Sequence, residues 1–140
     1  MKPAWTTFLG WVLAGVLIWA GGAKALDPAA LAENIAGFRL VPWPMAVAGA
    51  FYLPWLELVV GIGLLVPRWR TGSAWLAALL FTAFSLVWAI TWVRGLDVTC
   101  GCFGSTDVST ASWSFARAAV LTAFAWMLLL LKRTQADAEA

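Results

Sequence analysis

Four stretches of mostly apolar residues, at 5–23, 45–66, 71–93 and 113–131, constrain this chain more than any other feature. A helix that crosses the hydrocarbon core of a bilayer needs about 20 such residues. Inside lipid, every backbone N–H and C=O must be satisfied within the protein, so a run of that length reads as a helix. The expectation is an all-α polytopic membrane protein: one membrane domain over residues 1–140, built as a bundle of four transmembrane helices.

Composition agrees. Hydrophobic residues make up 63% of the chain and charged residues 11%, against roughly 45–50% and about 25% in ordinary globular proteins. A soluble domain of 140 residues has too little interior to hide that much apolar surface, whereas a bilayer solvates it. The net charge is +2 and the basic residues are scattered, so no nucleic-acid partner is expected. The chain has no histidine. That excludes a histidine-ligated haem, a histidine-containing zinc site and a Ser-His or Cys-His catalytic pair. Gly61-Ile62-Gly63 lies within an apolar run and reads as helix packing rather than a phosphate loop.

The connections are distinct in character. Between the first two spans, Asp27 precedes Pro28 as an N-cap precedes an N1 proline, so a short interfacial helix is expected there, ended by Pro42 and Pro44. Pro67-Arg68-Trp69-Arg70 reads as a tight hairpin. The segment 94–112 is a polar loop that carries both cysteines, and the polar tail 132–140 is expected to fray. The first span has a rival reading. Lys2, an apolar stretch and Ala23-Lys24-Ala25 together resemble a cleavable signal peptide. N-terminal sequencing distinguishes the two, because a mature start at Leu26 removes that helix.

Lysine and arginine placement orients the spans. Lys2, Arg68, Arg70, Lys132 and Arg133 share one side, while Lys24, Arg39, Arg94 and Arg117 lie toward the other with Asp27, Glu33, Asp97 and Asp107. The bias places both termini in the cytoplasm of a multi-pass inner (plasma) membrane protein and the cysteine loop in the periplasm or its equivalent, where disulfides are permitted. Of the eleven tryptophans, Trp5, Trp43, Trp69, Trp92 and Trp113 fit aromatic belts at the two interfaces. Trp11, Trp19, Trp55, Trp75, Trp88 and Trp126 lie deeper and serve packing or face lipid.

Thr99-Cys100-Gly101-Cys102-Phe103-Gly104 is the sharpest chemical signal. Two cysteines one residue apart close a very small disulfide ring, whose departure from relaxed geometry makes the bond easier to reduce. Gly101 admits a backbone conformation that other residues resist. Such a pair suits thiol–disulfide exchange with a partner and is a poor staple. Two alternatives stay open: a static disulfide that trims the loop, and a soft-metal site on Cys100 and Cys102.

Glu57 is the second signal, an ionisable residue midway along the second span. A charge at that depth is costly, so it should face the bundle interior and have a use. By depth, Thr82, Ser85 and Thr122 are its expected hydrogen-bond partners. It reads equally as a functional group, either a proton acceptor or a polar contact to a buried ligand such as a quinone head group, and as a structural hydrogen-bond anchor between helices. Lys24 and Arg117 come third. Both lie toward the side of the cysteine loop, where a cation lowers a thiol pKa. Lys24 also reads as a side chain that snorkels to the interface.

Three segments together resemble the DoxX-like redox membrane proteins, and within them the methylamine utilisation protein MauE branch. They are Gly21-Gly22-Ala23-Lys24-Ala25-Leu26-Asp27-Pro28, then Pro54-Trp55-Leu56-Glu57-Leu58-Val59-Val60-Gly61, and Cys100-Gly101-Cys102-Phe103-Gly104 followed by Arg117. The resemblance covers nearly the whole chain. It implies a four-helix membrane bundle, with Cys100 and Cys102 as the redox pair and Glu57, Lys24 and Arg117 as supporting polar positions. It implies a role in maturing disulfide-rich periplasmic methylamine dehydrogenase alongside a thioredoxin-like partner, and more distantly a link to quinone-coupled sulfur oxidation. The expected function is membrane thiol–disulfide exchange, with a membrane quinone as candidate cofactor. A carrier of a soft metal or small sulfur compound and a non-catalytic assembly scaffold are the alternatives. Four short helices leave little room for an enclosed site, which points to a homo-oligomer or a partner-completed one.

Overall fold

Each apolar run folds into one long helix, because helix formation is how a chain in lipid satisfies its own backbone. The computed structural model describes residues 4–96 and 111–139. Among the described residues five helices follow in order: α1 (Ala4–Leu26), α2 (Pro28–Gly37), α3 (Trp43–Leu65), α4 (Arg70–Val93) and α5 (Ala111–Glu139). No strand occurs among the described residues. Four of the five helices are long and apolar enough to cross a membrane, and the chain is a multi-pass membrane protein.

The four long helices close a ring. α1 packs on α3 and α5, and α4 packs on α3 and α5. One end of the bundle carries the start of α1, the α3–α4 hairpin and the end of α5; we call it the hairpin end. The other, the loop end, carries the end of α1, the short α2, the start of α3, the end of α4 and the start of α5. The core runs along the axis through Leu13, Leu17, Val60, Leu64, Ala77, Phe81, Ala125 and Leu128. Outward faces keep large apolar side chains such as Phe51, Trp55, Leu79 and Val120 exposed, as expected where lipid is the solvent.

Close contact between α1 and α3 depends on two glycines. A Cβ on Gly21 would stand 2.9 Å from the Pro54 carbonyl oxygen, and one on Gly61 would stand 2.8 Å from Ile18 Cγ1. α1 and α3 therefore approach almost backbone to backbone, in the small-residue manner of membrane helices. The packing role expected for Gly61-Ile62-Gly63 is shared: Gly61 admits α1, and Gly63 admits Ser73 of α4.

α2 begins as its sequence predicts. Asp27 Oδ1 accepts from Ala30 N at 3.0 Å, and Pro28 occupies the first turn. α2 then lies against the first half of α3 through Leu31, Ala32, Ile35, Val47 and Ala50. The tail departs from expectation, since α5 continues to Glu139 rather than fraying after Leu131. Lys132, Gln135, Ala136, Ala138 and Glu139 include strong helix formers. Two contacts hold the added turns: Lys132 Nζ donates to Thr71 Oγ1 at 3.3 Å, and Arg133 lies over the Trp75 ring.

Candidate functional site

The polar centre of the bundle is assembled by the same close approach of α1 and α3. Lys24 follows Gly21 by one turn on α1, and Glu57 follows Pro54 by one turn on α3. Pro54 sits inside α3 without an N–H to donate, so the local backbone lacks one internal hydrogen bond. Side chains on a helix lean toward its N-terminus. The two helices are antiparallel, so Lys24 and Glu57 lean toward each other.

Lys24 Nζ donates to Glu57 Oε1 at 2.5 Å, with side-chain exposures of 4% and 1%. The ammonium also stands 4.6 Å from the centroid of the Phe84 ring on α4. Glu57 Oε2 is buried with no hydrogen-bond partner among the described residues. Next to the pair lies a cavity of about 60 Å³, whose wall includes Glu57, Lys24, Trp88, Ser114 and Arg117. That volume holds a few water molecules. It is well below the 300 Å³ or so at which ligand pockets begin.

Arg117 is half-buried on the second turn of α5, with its guanidinium carbon 5.7 Å from the Trp113 ring centroid. Three of the residues singled out by the sequence, Lys24, Glu57 and Arg117, therefore line one cavity, together with Ser114, which is 6% exposed. Ser114 carries no motif. Its spacing of three from Arg117, which puts both on one helical face, is the sequence signal that finds it.

Two expectations change. Thr82, Ser85 and Thr122 are not partners of Glu57. Ser85 and Thr122 hydrogen-bond each other at 2.8 Å, while Thr82 donates to the Ala78 carbonyl and accepts from Trp126 Nε1. These hydroxyls lie along the α4–α5 seam, whereas Glu57 faces α1. Lys24 does not snorkel to the interface. α1 ends at Leu26, but α3 extends beyond it and α2 folds back over that extension, so protein covers the lysine.

A second cleft, about 300 Å³ and mainly apolar, lies between α2, α3 and α4. Phe38, Met45, Phe84 and Trp88 form much of its wall, with Lys24 and Asn34 as the polar groups. Phe38 meets Trp88 edge-on at 5.1 Å. Lys24 and Trp88 border both spaces. Cys100 and Cys102 lie outside the described residues. So does any metal site built on them, and among the described residues no group of three or more candidate ligands stands together.

A family model described as Methylamine utilisation protein MauE matches residues 2–131. The chain is 33% identical over 113 residues to the Methylamine utilization protein MauE of Methylorubrum extorquens, covering 80% of this chain and 61% of the relative. It is 36% identical over 93 residues to that of Paracoccus versutus, covering 65% and 50%. It is 42% identical over 69 residues to that of Methylophilus methylotrophus, covering 49% and 36%. The matched parts thus span between about a third and three-fifths of these relatives. No solved structure matches.

Proposed function

The chain belongs to the MauE family, and from that premise we propose that it is a membrane thiol–disulfide exchange protein serving methylamine utilisation. Its substrate is a periplasmic protein whose disulfides it helps to form, reached through a thioredoxin-like partner. A partner thiolate attacks one sulfur of the Cys100–Cys102 disulfide, forming a mixed disulfide and releasing the other cysteine as thiolate. The partner's second thiol then closes the partner's own disulfide and leaves both cysteines reduced. Two electrons and two protons have moved to the pair, and a membrane quinone takes them up to become quinol. In this reading both termini are cytoplasmic, the cysteine loop is periplasmic and the membrane is the inner one.

The observation that carries the proposal is the buried Lys24–Glu57 pair beside a water-sized cavity shared with Arg117. A bundle gains little stability from a buried ion pair, because desolvation offsets the attraction. Ionisable groups inside a membrane therefore mark a functional path. Here they provide a polar route for the protons that accompany the electrons, at the end of the bundle where α4 leads into the cysteine loop and α5 leaves it. The apolar cleft bordered by Lys24 has the size and lining for a quinone ring.

Graded glutathione buffers, alkylation and mass spectrometry of Cys100 and Cys102 test the core claim. A pair that interconverts within the physiological range supports exchange. A pair locked in one state across that range overturns it.

A further inference from the structure

The hairpin end carries a second polar cleft, of about 340 Å³, unrelated to the cysteine loop. Arg70 and Thr71 at the start of α4 face Lys132 and Arg133 on the last turns of α5 across it, with Thr6 of α1 at its side. Three cations gather there, and Glu139 is the acidic residue at the rim. We propose that this cleft binds the phosphate head group of an anionic phospholipid.

The side chains are already held in place. Arg70 Nε donates to the Leu64 carbonyl at 3.0 Å, which fixes its guanidinium. Arg133 stands 5.7 Å from the Trp75 ring centroid, and Lys132 Nζ bridges to Thr71 Oγ1. Groups ordered before binding lose less freedom on binding. Guanidinium groups match phosphate oxygens with paired hydrogen bonds. The cleft also stands at head-group depth: Trp5 and Trp69, exposed at 72% and 61%, mark the interface at this end. Positive residues at a membrane surface attract anionic lipid diffusely. A walled cleft that collects three of them makes the attraction a saturable site. Phosphate chemistry alone also fits a soluble phosphate, so the test separates the two sources.

Native mass spectrometry of the full chain released from detergent, titrated with phosphatidylglycerol, phosphatidylcholine or inorganic phosphate, decides the matter. The expected result is one retained phosphatidylglycerol, favoured over phosphatidylcholine by roughly tenfold. Arg133→Gln should lower retention roughly fivefold, and added salt should weaken it further. Equal retention of the two lipids overturns the proposal. So does retention of inorganic phosphate in place of lipid, which assigns the cleft to a soluble anion. The comparison of lipids on the unaltered chain stands even if a variant fails to fold. Circular dichroism of Arg133→Gln separates lost binding from lost structure, and unchanged retention in a folded variant also overturns the assignment.

Discussion

Lys24 Nζ reaches Glu57 Oε1 from a helix that ends two residues later, at Leu26. The ammonium is therefore near the end of its own element and yet inside the protein, because α2 and the first half of α3 cover it.

Breaking that pair on one side leaves the other group buried without its counter-charge. Lys24→Met should lower unfolding free energy in detergent by about 3–5 kcal/mol. Combining Lys24→Met with Glu57→Leu should restore most of the loss while leaving exchange activity impaired. A full double-mutant cycle read by thermal and denaturant unfolding measures the coupling. If the double variant is as unstable as the single one, the pair is structural.

Gly21 offers a steric test of how the pair is brought together. Gly21→Ala puts a methyl 2.9 Å from the Pro54 carbonyl oxygen, and overpacking of this kind costs about 1–3 kcal/mol. Gly22 has nothing within 4 Å of an added Cβ. Gly22→Ala should therefore be neutral or raise stability by up to about 1 kcal/mol through helix propensity. Melting temperatures of the two neighbouring variants check the contrast.

Thr122→Val removes the hydroxyl that meets Ser85. Side-chain hydrogen bonds between membrane helices average about 0.6 kcal/mol, so the loss should be of that order. The variant should leave exchange activity near that of the unaltered chain, because Thr122 is not a partner of Glu57. An activity loss as large as that of Lys24→Met would contradict this assignment.

Cys100→Ser and Cys102→Ser should each abolish exchange with a partner dithiol while leaving the helix content unchanged. Arg117→Gln should slow exchange without abolishing it, since Arg117 lines the cavity rather than carrying the sulfur chemistry. Stopped-flow oxidation of a model dithiol and far-UV circular dichroism check the three variants together. Full activity in the two cysteine variants would leave the exchange proposal without its redox pair.

The long helices were legible because an apolar run of 20 residues has few other fates. The start of α2 was legible because Asp27 and Pro28 make a local signal that needs no tertiary partner. The Lys24–Glu57 pairing was not. It depends on the register between α1 and α3, which Gly21 and Gly61 set by steric approach, and apolar length carries no register. Position along the spans puts Glu57 level with Thr82, Ser85 and Thr122 but does not fix which face of α3 turns toward α4. The continuation of α5 past Leu131 was hidden by polarity: residues 132–139 read as tail from hydropathy, although their helix propensity and their contacts to Thr71 and Trp75 keep them helical.

The pairing of a charge on α1 with one on α3 also imposes an order on biogenesis. The two residues are 33 positions apart, and at about 5–20 residues per second the ribosome delivers Glu57 a few seconds after Lys24. Until then the lysine lacks the carboxylate that pairs with it inside the bundle. The buried pair therefore closes only when α3 arrives, so the first helix to be made completes its central polar contact late.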